Sequence, residues 1–483
     1  MEDRRTMKRA FLIYPPTGYY MRDDRCQAPV EGVTAQPPRA PMDLAYMAAA
    51  LEAASVICKI KDYPAEKLSW EDFTKDIQIF KPDMLVFSIT TPTIKDDLKA
   101  CSIAKSINSE ILTVSKGAHY SEEHNNIMSE WPQLDIIIRG ESEFVIAEIA
   151  RAERLSDILG ITYRSNGNII KAPDRAFLED LDSLPFPARH LLNNNLYLTP
   201  DTRRPIAYIY TGRGCPHRCI YCAVSVVSGY KLKSRSPQSI VNEIEECVNK
   251  FNIRDFFFRA DTFTMNKDWT IHICRLIIER GLKIRWGTNS RVDTICRERL
   301  EWMKKAGCWI IGFGVESGNQ MMLDKMKKKA KIEDALSAVR LCRKFGIKTY
   351  LLFMIGLPWD TKETVDETIT FAKRLGGDFV DFNIAYPLPG TEFHRIAREN
   401  NLFDEESLGR HDYSKPIVKT LYLSTDELIE LRKKAIRSFY LRPSYIIRAL
   451  SGVRSFTELV SYFKAGKSLL TAVPVTSFPE EDI

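Results

Sequence analysis

The sequence predicts two successive α/β domains: a doubly wound parallel sheet, then a partial (β/α)6 barrel, followed by a helical C-terminal extension. Three observations lead to this prediction. A chain of 483 residues is too long for one ordinary core. Short apolar runs alternate with amphipathic stretches in two separate series, as parallel sheets require. A proline-broken stretch, Leu181–Arg189, separates the two series.

Composition limits the classes of protein to consider. The chain is 45% apolar and 27% charged, as is typical of a globular protein, and its net charge of +6 gives no reason to expect a nucleic-acid partner. The apolar run Ala10–Tyr14 is too short for a signal peptide, and no run is long enough to span a membrane. Eleven cysteines without a secretory signal favour the reducing cytoplasm.

The first predicted domain covers residues 7–155. Its five strands are each followed by a stretch with helical periodicity, which indicates a parallel doubly wound sheet. The predicted strands are Ala10–Tyr14, Val56–Asp62, Met84–Ile89, Ile111–Ser115 and Asp135–Ile138. The predicted helices are Asp43–Ala54, Trp70–Phe80, Lys95–Ile107, Glu122–Glu130 and Glu143–Ala152.

The carboxyl ends of these strands carry small, hydroxylated and charged residues. Ligands of such sheets bind outside these ends, so the residues there are candidates for a large flat ligand lying on the backbone. Hydroxyl groups placed there for solubility are the alternative explanation. The candidates are Ser88, Thr90, Thr93, Gly117, His119, Gly140 and Glu141.

A linker over residues 156–205 and a second domain over residues 206–425 follow. In the linker, Gly160–Asp174 is predicted to form a hairpin around an Asn-Gly turn. In the second domain, six strands with five helices between them favour a three-quarter barrel. The predicted strands are Ile206–Thr211, Phe256–Ala260, Ile284–Gly287, Trp309–Gly314, Lys348–Ile355 and Phe379–Ile384. The predicted helices are Pro237–Lys250, Trp269–Glu279, Arg297–Lys305, Ile332–Phe345 and Lys362–Leu375.

Three cysteines follow the first barrel strand with the spacing C-x3-C-x2-C: Cys215, Cys219 and Cys222. So many thiols in eight residues indicate ligands of a soft metal centre, and three of them leave a four-iron cluster one protein ligand short. A structural zinc site is the alternative, but zinc needs a fourth ligand, and His217 is too close in sequence to join Cys215 and Cys219 comfortably. The other cysteines are interpreted as buried apolar residues.

The cysteine spacing, with Tyr221 before the last cysteine, resembles the signature of the radical S-adenosylmethionine enzymes. The resemblance implies a [4Fe–4S] cluster at the carboxyl ends of a TIM-type barrel, with its open iron bound by S-adenosylmethionine. Motifs after the later strands agree with the family, except that Ala260 replaces a usual acidic residue. The residues that the resemblance implies for holding S-adenosylmethionine are Asp261, Asn289, Arg291, Gly314, Glu316 and Gly318.

The first domain resembles the Rossmann-like cobalamin-binding domain that precedes the barrel in many radical enzymes. The S-x-T-x-x-T set, Ser88, Thr90 and Thr93, and the pair Gly117 and His119 match positions of that family. The D-x-H-x-x-G signature is absent, which leaves the lower cobalt ligand open; His119 is interpreted as a pocket wall rather than that ligand. The resemblance therefore implies cobalamin as a further cofactor.

Together the two resemblances imply a cobalamin-dependent radical methyltransferase. It would act through a 5′-deoxyadenosyl radical on an unactivated carbon of a lipid, terpenoid or other natural product. Its electron donor would be a flavodoxin or ferredoxin. The alternatives are a radical oxidoreductase or cyclase resembling the anaerobic porphyrin-ring cyclase, a tRNA methylthiotransferase using Cys26, Cys58 and Cys101, and a corrinoid carrier without catalysis.

The C-terminal region, residues 426–483, is basic and helical. Thr425–Tyr440 and Phe456–Ala465 are the predicted helices. We expect them either to cap the barrel mouth or to rest on an anionic membrane surface, which would place the protein in the cytoplasm with peripheral contact at the inner membrane face.

Overall fold

The computed structural model describes residues 7–451, apart from 19, 24–25, 30–37, 118, 153 and 409–415. Two large sheets follow each other along this part of the chain, each with helices packed against it. The predicted fold class is therefore confirmed. The second predicted tail helix, Phe456–Ala465, lies outside the described residues.

The first sheet has seven strands, and its five N-terminal ones are parallel. The first strand, Arg9–Tyr14, lies between the second and third, so the direction of winding reverses beside it. Successive residues of this strand point to opposite faces of the sheet, so Phe11 and Leu12 pack in separate apolar cores. The strands are Arg9–Tyr14, Ile57–Asp62, Met84–Ser88, Leu112–Lys116, Ile136–Ile138, Ile161–Ser165 and Asn168–Lys171.

The last two strands of this sheet form the hairpin that the sequence places in the linker. Ile161–Ser165 pairs antiparallel with Ile136–Ile138 and with Asn168–Lys171. Asn166 and Gly167 both have positive φ, 48° and 80°, which suits a tight two-residue turn. The hairpin thus extends the first sheet.

The second sheet has six parallel strands in sequential order. Its first and last strands each have one neighbour, so the barrel is open between them. The carboxyl ends of all six strands face the same side, where ligands of such barrels bind. The strands are Ile206–Tyr210, Asp255–Arg259, Arg285–Arg291, Cys308–Glu316, Lys348–Ile355 and Phe379–Ile384.

The helices cover both sheets at the predicted places. In the first domain they are Met42–Glu52, Tyr63–Glu66, Trp70–Phe80, Ile94–Asp97, Lys99–Ile107, Tyr120–Glu130 and Glu143–Arg151. In the second they are Val224–Val227, Pro237–Phe251, Lys267–Glu279, Arg297–Lys305, Gln320–Lys325, Ile332–Lys344, Lys362–Leu375 and Glu392–Glu399. Four of these helices are not predicted from the sequence: Tyr63–Glu66, Val224–Val227, Gln320–Lys325 and Glu392–Glu399. Two ribbons are not predicted either: Tyr20–Asp23 with Cys26–Pro29, and Gly212–Arg213 with Lys233–Ser234.

Helix Thr425–Tyr440 covers the free edge of the last barrel strand rather than the barrel mouth. The Tyr440 hydroxyl accepts from the Val380 N–H at 2.9 Å and donates to the Val380 carbonyl at 2.7 Å, and Arg432 donates to the Phe382 carbonyl at 2.7 Å. These bonds satisfy an edge that would otherwise be open to other strands. The expected cap over the mouth is therefore wrong for this helix.

The C-terminal part of the described chain ends in helix Pro443–Ser451. Among the described residues, no helix combines the length and the apolar character needed to cross a bilayer. Contact of the C-terminal helices with a membrane surface stays a prediction.

Candidate functional site: two facing sets of strand ends

The loop that carries the three cysteines is built on a short ribbon. Gly212–Arg213 pairs with Lys233–Ser234, so the loop leaves and returns at the same place. The pKa of Cys222 is raised to about 12, mainly by burial and to a smaller extent by the nearby Cys219, Asp261 and Cys215. The three predicted ligands therefore share one electrostatic environment.

The donor set suits an iron–sulfur cluster. Within the part of the chain that the structure describes, no group of three His, Cys, Asp or Glu side chains is placed to hold a single metal ion. A cluster binds each thiolate through a different iron atom, so its ligands stand further apart than those of one ion. The three thiols of this loop lie near enough to influence the pKa of Cys222, and three thiolates are the donor type that such a cluster binds.

Two charged residues predicted from the family pattern lie beside these thiols. Burial raises the pKa of Cys215; the Asp261 carboxylate raises it further, while the Arg291 guanidinium opposes the rise. Arg291 is fixed by Asp293, with Nε to Oδ1 at 2.9 Å, and by the Lys328 carbonyl at 2.7 Å. Asp261 and Arg291 therefore border the cysteine loop, as predicted.

Glu316 forms a buried ion pair with Lys328, a residue that the sequence analysis missed. Their side chains meet at 2.7 Å, and Lys328 Nζ also lies 3.3 Å from the Tyr221 hydroxyl. Burial alone would lower the pKa of Lys328, but Glu316 and the nearby Cys219 outweigh it and raise that pKa. The site thus holds one more cation than predicted.

Glycines make room for this arrangement. A Cβ at Gly314 would collide with the Glu316 carboxylate and lie 3.0 Å from Lys328 Nζ, and a Cβ at Gly312 would collide with the Asn289 side-chain oxygen. Glu316 itself has a positive φ of 68°, an uncommon conformation that aims its side chain back over Gly314. The structure therefore places Asn289, Gly314 and Glu316 on one surface.

Gly318 does not share that surface. A Cβ at Gly318 would lie 2.5 Å from Phe371 Cβ and 2.8 Å from Thr368 Cα, both in helix Lys362–Leu375. Its N–H donates to the Thr368 hydroxyl at 3.0 Å. Close packing against this helix accounts for the glycine, and a role of Gly318 in binding S-adenosylmethionine stays a prediction.

In the first domain the predicted hydroxyl groups bind to neighbouring carboxylates. Ser88 donates to Asp43 at 2.5 Å, and Thr93 donates to Asp97 at 2.5 Å and lies 2.7 Å from the Thr90 hydroxyl. Asp97 also forms a buried ion pair with Arg22 at 2.8 Å. These hydroxyls therefore organise the strand ends instead of standing open to a ligand.

Gly117 and His119 lie at the end of the fourth strand and are also enclosed. A Cβ at Gly117 would lie 2.9 Å from the Ile89 carbonyl oxygen. His119 is buried, and burial together with the nearby His394 of the barrel domain lowers its pKa to about 4. Its Nδ1 has no hydrogen-bond partner among the described residues. The residue thus stands as a neutral imidazole between the two domains.

An open cleft separates the strand ends of the two domains, and Gly140 and Glu141 line it. Its walls are rich in tyrosine and in charged side chains from both domains. From the first domain come Tyr14, Tyr20, Arg22, Arg39, Asp43, Tyr46, Lys116, Gly140, Glu141 and Glu143. From the barrel come Tyr208, Tyr210, Arg213, Ser228 and Arg259.

One salt-bridge cluster ties the cysteine loop to the first domain across this cleft. Arg213, two residues before Cys215, pairs with Glu141 at 3.0 Å and with Glu143. Glu141 also accepts from the Leu178 N–H at 2.5 Å. These ion pairs thereby link the end of a first-domain strand to the start of the cysteine loop.

Comparisons with known proteins agree with both halves of this site. Residues 209–372 match the family described as the radical SAM superfamily, and residues 32–150 match the B12 binding domain. The first match lies in the barrel domain and the second lies in the domain of the first sheet.

Relatives align over most of the chain. An uncharacterized methyltransferase of Pyrococcus horikoshii is 32% identical over 90% of this chain and 93% of its own. The anaerobic magnesium-protoporphyrin IX monomethyl ester cyclase of Rubrivivax gelatinosus is 28% identical over 84% of this chain and 74% of its own. The solved structure of the cobalamin-dependent S-adenosylmethionine radical enzyme OxsB shares the fold, with a TM-score of 0.71 and 16% identity over 96% of this chain and 71% of its own.

Proposed function

Because the chain belongs to the cobalamin-binding radical S-adenosylmethionine enzymes, we propose that it methylates an unactivated carbon atom of a small molecule. Its cofactors are a [4Fe–4S] cluster, S-adenosylmethionine and cobalamin. The observation that supports the proposal most is the cleft between the two sets of strand ends. Its barrel wall includes Arg213 and Arg259, each two residues from a predicted site residue, Cys215 and Asp261, so a substrate there would lie next to both cofactor sites.

When bound, the cluster with S-adenosylmethionine supplies hydrogen-atom abstraction, and cobalamin supplies a methyl group. Cys215, Cys219 and Cys222 would hold the cluster. The amino-acid end of S-adenosylmethionine carries an ammonium and a carboxylate, which the neighbouring cations and carboxylates of the barrel site would recognise. These are Asp261, Arg291, Glu316 and Lys328, with Asn289 and Gly314 shaping the surface.

In the first domain, cobalamin would contact the residues that line the cleft, above all Gly140 and Glu141. Ser88, Thr90 and Thr93 would support it indirectly, by fixing Asp43 and Asp97. Gly117 and His119 would stand behind this surface as packing residues. The substrate would be a lipid, a terpenoid or another natural product, and an electron carrier such as flavodoxin or ferredoxin would reduce the cluster.

The second candidate is a radical oxidoreductase or cyclase, which the similarity to the porphyrin-ring cyclase favours. A methylthiotransferase is less well supported. Its additional cluster would need Cys58 and Cys101, which lie in the separate apolar cores on opposite faces of the first sheet. Both are buried and donate to nearby backbone carbonyls, Cys58 to Ala48 and Cys101 to Leu98.

Transfer of an isotope-labelled methyl group tests the proposal. The reconstituted protein with cobalamin and methyl-labelled S-adenosylmethionine is incubated with a small-molecule extract of the source cells, and products are followed by mass spectrometry. We expect the label in a product that the Cys222→Ala variant does not form. Loss of hydrogen or gain of oxygen without label would support the cyclase candidate instead, and no labelled product would contradict methyl transfer.

A further inference from the structure

A basic surface segment lies directly beside the cysteine loop. Helix Gln320–Lys325 and the residues after it contain four exposed lysines, and the loop itself adds an exposed arginine. We name this set the basic rim. It consists of Arg218, Lys325, Lys327, Lys329 and Lys331.

The basic rim is attached to the loop by main-chain and side-chain contacts. The N–H of Ile220, which lies between the second and third cysteines, donates to the Met326 carbonyl at 3.1 Å. Lys328 Nζ lies 3.3 Å from the hydroxyl of Tyr221. Exposed lysines therefore alternate with Met326 and Lys328, which contact the cysteine loop, so the basic rim and the loop are adjacent at the surface.

The conformation of the segment keeps its charges outward. Lys327 and Lys329 have positive φ, 56° and 54°, an uncommon conformation for side chains of this size. Lys325 lies over the Trp359 ring at 5.3 Å, and Arg218 lies over the Tyr230 ring at 4.6 Å. Lys325 and Arg218 are therefore packed on aromatic rings at the surface.

Positive charge exceeds negative charge at the rim, where Asp324 and Glu333 are the exposed carboxylates of the same segment. Lys327 pairs with Glu392 at 2.7 Å. Within the described residues no carboxylate forms an ion pair with Lys325, Lys329 or Arg218. A surface with several uncompensated cations attracts an acidic partner and steers its approach.

Exposed apolar side chains lie among these cations. Met321 is 51% exposed and precedes Lys325 by one helical turn, so the two share a face of the helix. Tyr230, which supports Arg218, is 45% exposed. Apolar groups within a charged rim are typical of transient protein interfaces.

We propose that the basic rim is the docking surface for an acidic one-electron carrier protein. The inference rests on the proposed function, because only an enzyme whose cluster must be reduced during the reaction needs such a partner. In the transfer the carrier is oxidised by one electron and the cluster gains that electron, and no bond forms or breaks. None of the rim residues lines the cleft, so a carrier docked at the rim would leave the cleft free for substrate.

Reduction kinetics of charge-reversed variants test the inference. The double variant Lys325→Glu with Lys329→Glu is compared with Lys283→Glu with Lys344→Glu. These two exposed control lysines precede the strand Arg285–Arg291 and end the helix Ile332–Lys344. Both pairs change the net charge equally. Reconstituted proteins are mixed anaerobically with reduced flavodoxin at low and high salt, and cluster reduction is followed by absorbance.

We expect the rim variant to be reduced at least about tenfold more slowly at low salt, and the difference from wild type to shrink at high salt. The control variant should behave as wild type, and dithionite should reduce all three proteins equally. Equal rates with flavodoxin, or binding of RNA to the rim without a change in those rates, would overturn the inference alone. A wild-type protein without a reducible cluster would overturn the proposed function as well.

Discussion

Polar residues follow the strands of both sheets, yet the two regions use them differently. In the barrel, side chains from separate strand ends lie together around the cysteine loop, as Asp261, Arg291 and Glu316 do. In the first sheet, Ser88 and Thr93 bind carboxylates of their own domain and leave the cleft to other residues. A strand-end motif can therefore mark either groups that would contact a ligand or the supports behind them.

The difference follows from what each ligand needs. A cluster and a charged amino-acid group require thiolates and ions, which only a few residue types provide. A large, mostly neutral corrin needs shape and backbone contacts, which many residue types can supply. Motifs of the first kind are therefore easier to recognise in a sequence than motifs of the second kind.

Removal of one cluster thiol should have the largest effect and should affect one region alone. We expect Cys219→Ala to lose most of its iron after anaerobic reconstitution, because two thiolates hold a cluster poorly, while cobalamin binding in the first domain persists. Iron analysis measures the cluster content, and spectral titration measures the binding of cobalamin. Retention of the full iron content, or a parallel loss of cobalamin binding, would contradict separate roles of the two regions.

Breaking the buried pair in the barrel should come next. Glu316→Gln leaves the Lys328 ammonium buried without its carboxylate, which costs about 3 kcal/mol of folding stability. We expect the affinity for S-adenosylmethionine to fall roughly 100-fold as well, about 2.7 kcal/mol. Denaturant unfolding and calorimetric titration check these values.

A second variant separates stability from binding at this pair. Glu316→Gln with Lys328→Met removes both charges, so it should recover most of the stability but none of the affinity. Recovered affinity would show that the pair has only a structural role.

The link between the two regions predicts a smaller effect. Arg213→Gln removes the contacts to Glu141 and Glu143 and leaves two carboxylates near the cleft. We expect cobalamin affinity to fall about tenfold, near 1.4 kcal/mol. Lys231→Gln, on the same loop but in an exposed pair with Glu179, is the matched control and should change nothing measurable. Equal effects of the two variants would contradict a specific link.

The hydroxyl groups of the first sheet should matter least. Ser88→Ala removes one hydrogen bond to Asp43, which costs about 1 kcal/mol of folding stability. Cobalamin affinity should change less than about threefold, because the hydroxyl acts through Asp43. A loss of binding as large as that of Arg213→Gln would show that Ser88 contacts the ligand after all.

The sequence predicts most strands within two residues, because periodic apolar runs report burial directly. It places the three cysteines and their charged neighbours in the right loops. It misses Lys328, because this residue lies in a run of lysines and only the fold turns its side chain inward. The edge pairing of hairpin 161–171 and the edge contact of helix Thr425–Tyr440 depend on tertiary hydrogen bonds that no local pattern reveals.

The most direct test of the account is the magnetic interaction between the two cofactors. The protein is reconstituted with cluster and cobalamin, the cobalt is brought to its paramagnetic +2 state, and its electron paramagnetic resonance spectrum is recorded before and after cluster reduction. If the two sets of strand ends face each other across one cleft, the reduced cluster should broaden the cobalt signal and accelerate its relaxation. A cobalt signal unchanged by cluster reduction would contradict a shared site.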